Sequence, residues 1–146
     1  MYNKFTMEFP ALACNESFAR MIAAGFVMEL DPTCEELSEI KTAVSEAVTN
    51  SIIHGYGNEK GIITFEGEIS GYTVKFTVAD RGKGIEDVEQ ARTPLYTGAS
   101  DGERSGMGFT IMEAFMDKLE VLSEKDAGTK VVLTKNIAHE VTSNES

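Results

Sequence analysis

The stretch Ser45–Asn58, SEAVTNSIIHGYGN, combines the pattern of a buried helix with a line of polar side chains. Its apolar residues have the spacing of a helix that packs on a core: Ala47, Val48, Ile52 and Ile53. Glu46, Asn50 and His54 recur at every fourth position, and such positions lie along one face of a helix. A carboxylate, an amide and an imidazole in a row indicate either a solvated edge of the helix or a functional site.

Signals upstream of this stretch predict where its helix begins. Asp31-Pro32 would be an N-cap followed by proline at the first helical position, whereas Thr33 with Glu36 is a competing capping box. The glycines of GYGN predict that the helix ends at about His54.

Two elements are predicted before this helix. Residues 4–10 alternate in part, which indicates an edge strand that ends at Pro10. Residues 14–25 have the pattern of a helix, with Asn15 or Ser17 as its cap and Gly25 at its end.

Downstream, the pattern predicts strands at 61–69, 72–79, 118–124 and 128–137, and a helix at 107–117. Ser70-Gly71 joins the first two strands and Asp126-Ala127-Gly128 joins the last two, so two antiparallel hairpins are expected. The order of elements predicts an α+β fold. We expect a two-layer sandwich of a mixed, mostly antiparallel sheet with helices on one face.

Composition limits the classes of protein to which the chain can belong. Its 146 residues suit one domain, residues 1–136, followed by a polar tail, residues 137–146, that we expect to be disordered. Lys and Arg total 13 against 24 Asp and Glu, and the net charge of −11 argues against direct binding of nucleic acid. No apolar run is long enough for a membrane span and no signal peptide is visible, so a cytoplasmic protein is expected. Cys14 and Cys34 fit no metal spacing and are expected to be reduced thiols.

Two glycine motifs flank a polar segment, residues 86–105, whose length is typical of a functional loop. ADRGKGI, Ala79–Ile85, follows a predicted strand, and RSGMGF, Arg104–Phe109, precedes a predicted helix. Glycines let a backbone approach a ligand closely, and a helix N-terminus favours phosphate. Gly106 and Gly108 are therefore a candidate phosphate cradle, although either motif alone is also typical of a tight turn. Neither motif has the spacing of the dinucleotide fingerprint or of a P-loop.

The polar line and the strand end suit phosphoryl transfer from a nucleotide. That reaction needs a divalent metal on the phosphates and a group that orients or deprotonates the nucleophile. Asn50 offers a hard oxygen for Mg²⁺, Glu46 a general base, and His54 either a phosphate contact or a charge at the helix end. Asp80 is either a turn former or an acceptor for an exocyclic amine such as that of adenine. Taken singly, each of these residues is also compatible with a solvated or satisfied side chain.

These motifs, in this order, resemble a known family. EAVTNSIIH, Glu46–His54, resembles the N box of the GHKL ATPase and kinase superfamily, and DRGKGI and RSGMGF resemble its two glycine boxes. GTK, Gly128–Lys130, is similar to the element that closes the adenine pocket. Within the superfamily the chain most resembles the stand-alone anti-sigma factor serine kinases, because its opening, NKFTMEFPALACNESFARMIAAGF, is similar to their N-terminal region. From its length we expect neither the dimerisation helix of a histidine kinase nor a transducer domain. The resemblance implies the Bergerat-type ATP-binding fold.

The resemblance also implies a role for each matching position. Glu46 would be the catalytic base for a serine hydroxyl, Asn50 would hold Mg²⁺, and Asp80, assisted by Thr129, would bind the adenine amino group. The other implied ATP contacts are His54, Gly82, Lys83, Gly84, Arg104, Ser105, Gly106 and Gly108. Of these, Gly82 and Gly84 would allow a close pass by the nucleotide, and the last three would bind phosphates. Arg104 would stabilise the transferring phosphate, Lys83 is either a phosphate contact or solvated, and residues 92–104 would form a lid.

As a function, the resemblance implies an ATP-dependent protein serine kinase that is also an anti-sigma factor. It would bind a sigma factor, sigma F of sporulation, and phosphorylate the anti-anti-sigma factor. A homodimer is implied, with an interface near the N-terminal strand and helix. An ATP-gated sigma-binding module, a general-stress-type anti-sigma kinase and a free-standing ATPase remain open as alternatives. Glu16 and Arg20, four positions apart, are either partner contacts or a surface ion pair.

Overall fold

Five strands form one antiparallel sheet in the computed structural model, which describes residues 1–92 and 108–137. The strands are β1 (Tyr2–Pro10), β2 (Ile62–Ser70), β3 (Thr73–Asp80), β4 (Lys118–Glu124) and β5 (Gly128–Asn136). Their order across the sheet is β1-β2-β3-β5-β4, and each neighbouring pair is antiparallel. β1 is therefore an edge strand, as predicted, but it begins at Tyr2 rather than at residue 4.

Both predicted hairpins form. Ser70 of β2 pairs with Thr73 of β3 across a two-residue loop, and Glu124 of β4 pairs with Gly128 of β5 across the second turn. The register between β3 and β5 places Asp80, the last residue of β3, opposite Thr129. This register brings the two predicted adenine-side residues together.

The described helices are α1 (Cys14–Val27), α2 (Cys34–Asn50), α3 (Val88–Ala91) and α4 (Gly108–Phe115). A 3-10 turn, Met28–Leu30, follows α1, and a π turn, Ser51–Gly55, continues α2. Of the two competing start signals, the capping box is the one that forms. The Thr33 hydroxyl accepts from the Glu36 N–H at 3.0 Å, and the Thr33 N–H donates to the Glu36 carboxylate at 2.9 Å. Such a box stabilises a helix start by about 1 kcal/mol.

α1 begins at Cys14, as predicted, but its predicted cap and its predicted C-terminal end are wrong. No side chain caps its start; the Asn15 amide instead donates to the Pro10 carbonyl at 2.9 Å and joins α1 to the end of β1. The Ser17 hydroxyl accepts from Arg20 within the helix at 3.2 Å. Gly25 does not end the helix, because packing of the next turn on the core outweighs the low helix propensity of a single glycine.

The core lies between the helices and the inward face of the sheet. α2 contributes Ile40, Val44 and Val48, and β2 and β3 contribute Phe65 and Phe76, all fully buried. The two rings stack with their centroids 5.8 Å apart. Burial of each such side chain stabilises the fold by about 1.5–3 kcal/mol. The predicted two-layer α+β sandwich is confirmed, and every described strand pairing is antiparallel.

Three smaller expectations bear on the rest of the chain. Cys14 and Cys34 are both free, as predicted, and both are exposed. Within residues 1–92 and 108–137, no helix has the length and apolar character needed to cross a membrane. Ile137, the first residue of the predicted tail, is buried and donates to the Tyr72 carbonyl at 2.8 Å. The remainder of that tail, residues 138–146, lies outside the described residues.

Candidate functional site

The polar line of α2 is regular over Glu46 and Asn50 but not beyond them. The α-helix ends at Asn50, and the π turn Ser51–Gly55 follows. A π turn contains more residues than an α turn. His54, four residues after Asn50, is therefore not on the same face as Glu46 and Asn50 in the way that a regular α-helix would place it. His54 is half-buried in this turn, whereas Ser51 is almost fully buried.

Gly108, the first residue of α4, lies against both members of this line. A Cβ atom at Gly108 would be 3.2 Å from the Asn50 amide nitrogen, 3.3 Å from its oxygen and 3.3 Å from a Glu46 carboxylate oxygen. The first N–H groups of a helix have no partner within it and carry its partial positive charge. The structure thus brings Gly108, the last glycine of the second motif, and the N-terminal end of α4 to the carboxylate and amide of α2.

Asp80 is a buried carboxylate that is held from two sides. It is 7% exposed, and the Ser51 hydroxyl donates to its Oδ2 at 2.7 Å while the Gly82 N–H donates to its Oδ1 at 2.9 Å. The bond from Gly82, two residues further on, is that of a turn former. The bond from Ser51 links the strand end to the π turn, so the orientation of the carboxylate is set by two different elements.

The first glycine motif is confined between the π turn and the β4–β5 hairpin. The Lys83 N–H donates to the Gly55 carbonyl at 2.9 Å, and the Lys83 carbonyl accepts from the N–H of Asp126. A Cβ atom on Gly82 would be less than 3.0 Å from the Gly55 carbonyl, and one on Gly84 less than 3.0 Å from the Glu124 carbonyl. Both positions therefore require glycine for their backbone contacts. The Lys83 side chain is exposed.

A small hydroxyl network joins this loop to Thr129. The Ser123 hydroxyl accepts from the Ile85 N–H at 2.7 Å, donates to the Gly128 carbonyl at 2.9 Å and lies 2.8 Å from the Thr129 hydroxyl. A hydroxyl has one proton and two lone pairs, so Ser123 is saturated if the Thr129 hydroxyl donates to it. The network holds the end of the glycine loop on the same strands that carry Thr129.

The arrangement fits a nucleotide with a divalent metal. The oxygens of Glu46 and Asn50 share one face near the N-terminal end of α4, and Mg²⁺ needs few protein ligands because it retains waters. In the described ranges, no cluster of three or more His, Cys, Asp or Glu side chains could hold a metal by itself. The hydroxyl of Thr110, in the first turn of α4, is buried and has no hydrogen-bond partner among residues 1–92 and 108–137.

Part of the predicted site lies outside the described residues. Arg104, Ser105 and Gly106 belong to residues 93–107, as does almost all of the predicted lid. Its first residue, Arg92, follows α3 and forms an ion pair with Glu113 of α4 at 3.3 Å.

The structure adds two polar residues that the sequence reasoning missed. Ser51 directly follows Asn50 within an apolar run. A small polar residue at a helix position expected to be buried could have identified it as part of the site. Ser123 lies at an inward-facing position of β4, in phase with Leu119 and Val121, where alternation predicts an apolar side chain.

A cavity of about 980 Å³ opens at the same end of the sheet but mainly on its other face. Side chains that point away from the helices line much of it, among them Glu8, Thr64, Ala79 and Lys130. Asp80 and Thr129 also border it, but strand alternation directs their side chains toward the helices. This cavity is therefore distinct from the cluster around Glu46, Asn50 and Gly108.

Comparison with known proteins adds sequence and structural relatives. Residues 9–135 match the model of the family described as histidine kinase-like ATPase domain. A protein of Clostridium beijerinckii named anti-sigma F factor is 58% identical over 134 residues, which cover 91% of this chain and 94% of the relative. Anti-sigma F factors of Clostridium perfringens and Anoxybacillus flavithermus are each 55% identical over 138 residues, covering 94% of this chain and 99% and 94% of the relatives.

A solved structure shares the fold. The nucleotide-free catalytic domain of the histidine kinase ThkA aligns with a TM-score of 0.58 at 15% identity. The alignment covers 91% of this chain and 96% of that domain. At this level of identity the likeness concerns the fold alone.

Proposed function

The chain belongs to the family of histidine kinase-like ATPase domains and, within it, to the anti-sigma F factors, and from this premise we propose that it inhibits a sigma factor and phosphorylates that factor's antagonist. The bound partner would be an RNA polymerase sigma factor, sigma F by the name of the relatives. The substrate would be a serine of an anti-anti-sigma factor. ATP or ADP binding and an ATP-dependent kinase class follow from the family, whereas the serine acceptor rests on the relatives' name.

The observation that carries the proposal is the approach of Gly108 to Glu46 and Asn50. Glu46 is the proposed base, which accepts the proton of the attacking serine hydroxyl. Asn50 is the proposed ligand of Mg²⁺, and the metal when bound neutralises charge on the phosphates. The N-terminal end of α4, with Gly108 and the neighbouring Ser105 and Gly106, is proposed to hold the phosphates.

The adenine end is proposed to lie at the ends of β3 and β5. Asp80 is buried and already oriented by two donors, which suits a carboxylate that accepts a bond from the adenine amino group. Thr129 lies opposite it in the register. Gly82 and Gly84 would keep the loop close to the nucleotide. The further proposed contacts are His54, Lys83 and Arg104.

Transfer of labelled phosphate from ATP to a purified anti-anti-sigma factor tests the proposal. We expect transfer by the wild-type protein and a fall of about 10²–10⁴-fold in Glu46→Gln with ATP affinity kept, because loss of a general base removes about that factor. If transfer is unchanged in Glu46→Gln, Glu46 is not the base. If ATP binding is lost as well, its role is structural.

The same assay separates the alternatives. ATP-dependent sigma binding without any transfer would indicate an ATP-gated binding module, and steady ATP turnover without an acceptor would indicate a free-standing ATPase. Transfer only to a general-stress anti-anti-sigma factor would change the proposed partner. Asn50→Ala is expected to weaken Mg²⁺-dependent ATP binding, and an unchanged magnesium dependence would remove Asn50 from the metal site.

A homodimer is proposed for residues 1–136, the proposed single kinase domain, through β1 and α1. The outer edge of β1 is free of any strand among the described residues. Large apolar side chains before, within and just after α1 are exposed: Leu12, Phe18, Met21 and Met28. Glu16 and Arg20 form an ion pair at 3.7 Å, and Glu16 also accepts a hydrogen bond from Ser45 of α2. Their role as partner contacts therefore stays a proposal. Sedimentation of the purified chain tests the dimer.

A further inference from the structure

Lys135 is a buried cation that the proposed site does not use. It lies on the inward side of β5, and its side chain is 9% exposed. Its ammonium group donates to the main-chain carbonyl of Phe115 at 2.7 Å and lies 2.9 Å from a carboxylate oxygen of Glu39. One side chain thus joins β5, the end of α4 and the first half of α2.

Two hydrogen bonds made by Asp117, which follows the same end of α4, tie this end to β5. The Asp117 N–H donates to the Thr134 carbonyl at 2.9 Å, and the Asp117 carboxylate accepts from the Asn136 N–H at 2.7 Å. The C-terminal end of α4 is therefore held by contacts on both sides of Lys135 in the strand. The buried charge is itself stabilised, because it has a carboxylate partner and lies at the negative end of a helix.

The opposite end of α4 is the end that contacts the proposed catalytic pair. Gly108 lies against Glu46 and Asn50, and Phe115 is seven residues further along α4. On α2, Glu39 precedes Glu46 by seven residues and Asn50 by eleven. Residues at these spacings lie on one face of a helix. Seven residues of helix span about 10 Å in each case. α4 therefore runs antiparallel along one face of α2. Gly108 contacts Glu46 at one end, and Lys135 links Phe115 to Glu39 at the other.

We propose that Lys135 is a positioning residue that sets how far α4 lies along α2, and with it the distance of Gly108 from Glu46 and Asn50. The inference rests on the proposed function for the meaning of that distance, since Gly108 would hold phosphate there. Lys135 touches neither the nucleotide nor the reacting atoms in this arrangement. Its loss lets α4 slide by a fraction of a turn, which misplaces the phosphate end and leaves the adenine end at Asp80 and Thr129 in place.

The test compares Lys135→Met with Lys135→Arg, and uses Lys75→Met as a matched control at an exposed, outward-facing position of the neighbouring strand β3. Binding of ATP and of adenosine is measured for each folded variant by competition, together with kcat and KM for phosphate transfer. We expect Lys135→Met to lose about 10–100-fold in ATP affinity or kcat, the size of effect that a misplacement of about 1 Å produces. Adenosine affinity should stay within about twofold, Lys135→Arg should recover most of the loss, and Lys75→Met should match wild type.

A double-mutant cycle gives a readout that a merely stabilising role would not move. The losses of ATP affinity in Lys135→Met and Gly108→Ala should be non-additive, because both act on the same distance, whereas those of Lys135→Met and Gly84→Ala should add. If Lys135→Met does not fold, Glu39→Gln replaces it, with the same pattern at smaller size. Equal loss of ATP and adenosine affinity, or wild-type ATP affinity in Lys135→Met, would overturn the inference. Because these readouts include binding, they remain decisive even if the chain transfers no phosphate.

Discussion

Gly84→Ala separates backbone strain from a steric contact at the first glycine motif. Gly84 has φ +74°, and a Cβ atom there would be less than 3.0 Å from the Glu124 carbonyl. Gly71, in the β2–β3 loop, has nearly the same φ, +65°, and an added Cβ would meet no atom within 4 Å. Gly71→Ala is therefore a matched control that carries the strain without the contact.

The expected free energies follow from these two sites. A left-handed backbone costs an alanine about 1–2 kcal/mol, and this cost is common to both variants. Relief of a contact with a main-chain atom adds about 1–3 kcal/mol in a packed site, and only Gly84→Ala carries it. For a chain of this size, 1 kcal/mol shifts Tm by about 2–4 °C. The Tm of Gly84→Ala should thus lie about 2–12 °C below that of Gly71→Ala.

Nucleotide binding should distinguish the two variants more sharply than stability. The contact can be relieved only if the β4–β5 hairpin moves away from the glycine loop, and that hairpin carries Thr129 and Ser123. Titration with a non-hydrolysable ATP analogue should show an affinity at least about tenfold lower for Gly84→Ala, because a loss of about 1.4 kcal/mol of binding free energy lowers affinity tenfold. The affinity of Gly71→Ala should be unchanged. Equal Tm values for the two variants, together with wild-type ATP affinity in Gly84→Ala, would show that the Glu124 carbonyl does not restrict this position.

Three further changes have expected outcomes of different kinds. Ser51→Ala removes one of the two donors to the buried Asp80 carboxylate, which should cost about 1.5–3 kcal/mol of stability and weaken ATP binding measured by calorimetry. Ser38→Ala, at an exposed position of α2, is the control, and equal behaviour of the two variants would contradict the role of Ser51. Thr33→Ala removes the capping box, which should cost about 1 kcal/mol of stability and lower Tm by about 2–4 °C. ATP affinity should be unchanged, and a changed affinity would show that the substitution acts beyond the start of α2. The hydrogen bond from Tyr2 to Glu68 raises the pKa of the Tyr2 hydroxyl above 10.0. The stability that this bond contributes is therefore complete below pH 10 and is lost as the pH rises through the raised pKa. Above pH 10, the denaturant midpoint of Tyr2→Phe should fall less with pH than that of the wild type, and parallel plots of midpoint against pH would contradict this.

Local rules account for most elements of the fold. The hairpins follow from short polar joints between alternating runs, and the start of α2 from a reciprocal capping box. The cap and the C-terminal end of α1 were predicted wrongly because cap and stop signals are weak, and a few core contacts outweigh them. The π turn after Asn50 was not predicted, since its sequence is compatible with a regular helix.

The amino-acid sequence was enough to show which residue types are available for a site and which of them share one face of a helix. Glu46 and Asn50 follow from helical spacing, and the glycine motifs from turn chemistry; the family resemblance assigned their expected roles. Local periodicity relates residues only over a few turns, so it could not say what faces this line from elsewhere in the chain.

The contacts between residues that are far apart in the chain could be seen only in the folded structure. It placed Gly108 against Glu46 and Asn50, Ser51 on Asp80, and Lys135 between Glu39 and the end of α4. Each of these contacts joins residues from separate elements, and each depends on how whole helices pack against the sheet. Side-chain packing sets such distances collectively, through the shape of the core, and no short stretch of sequence contains that information.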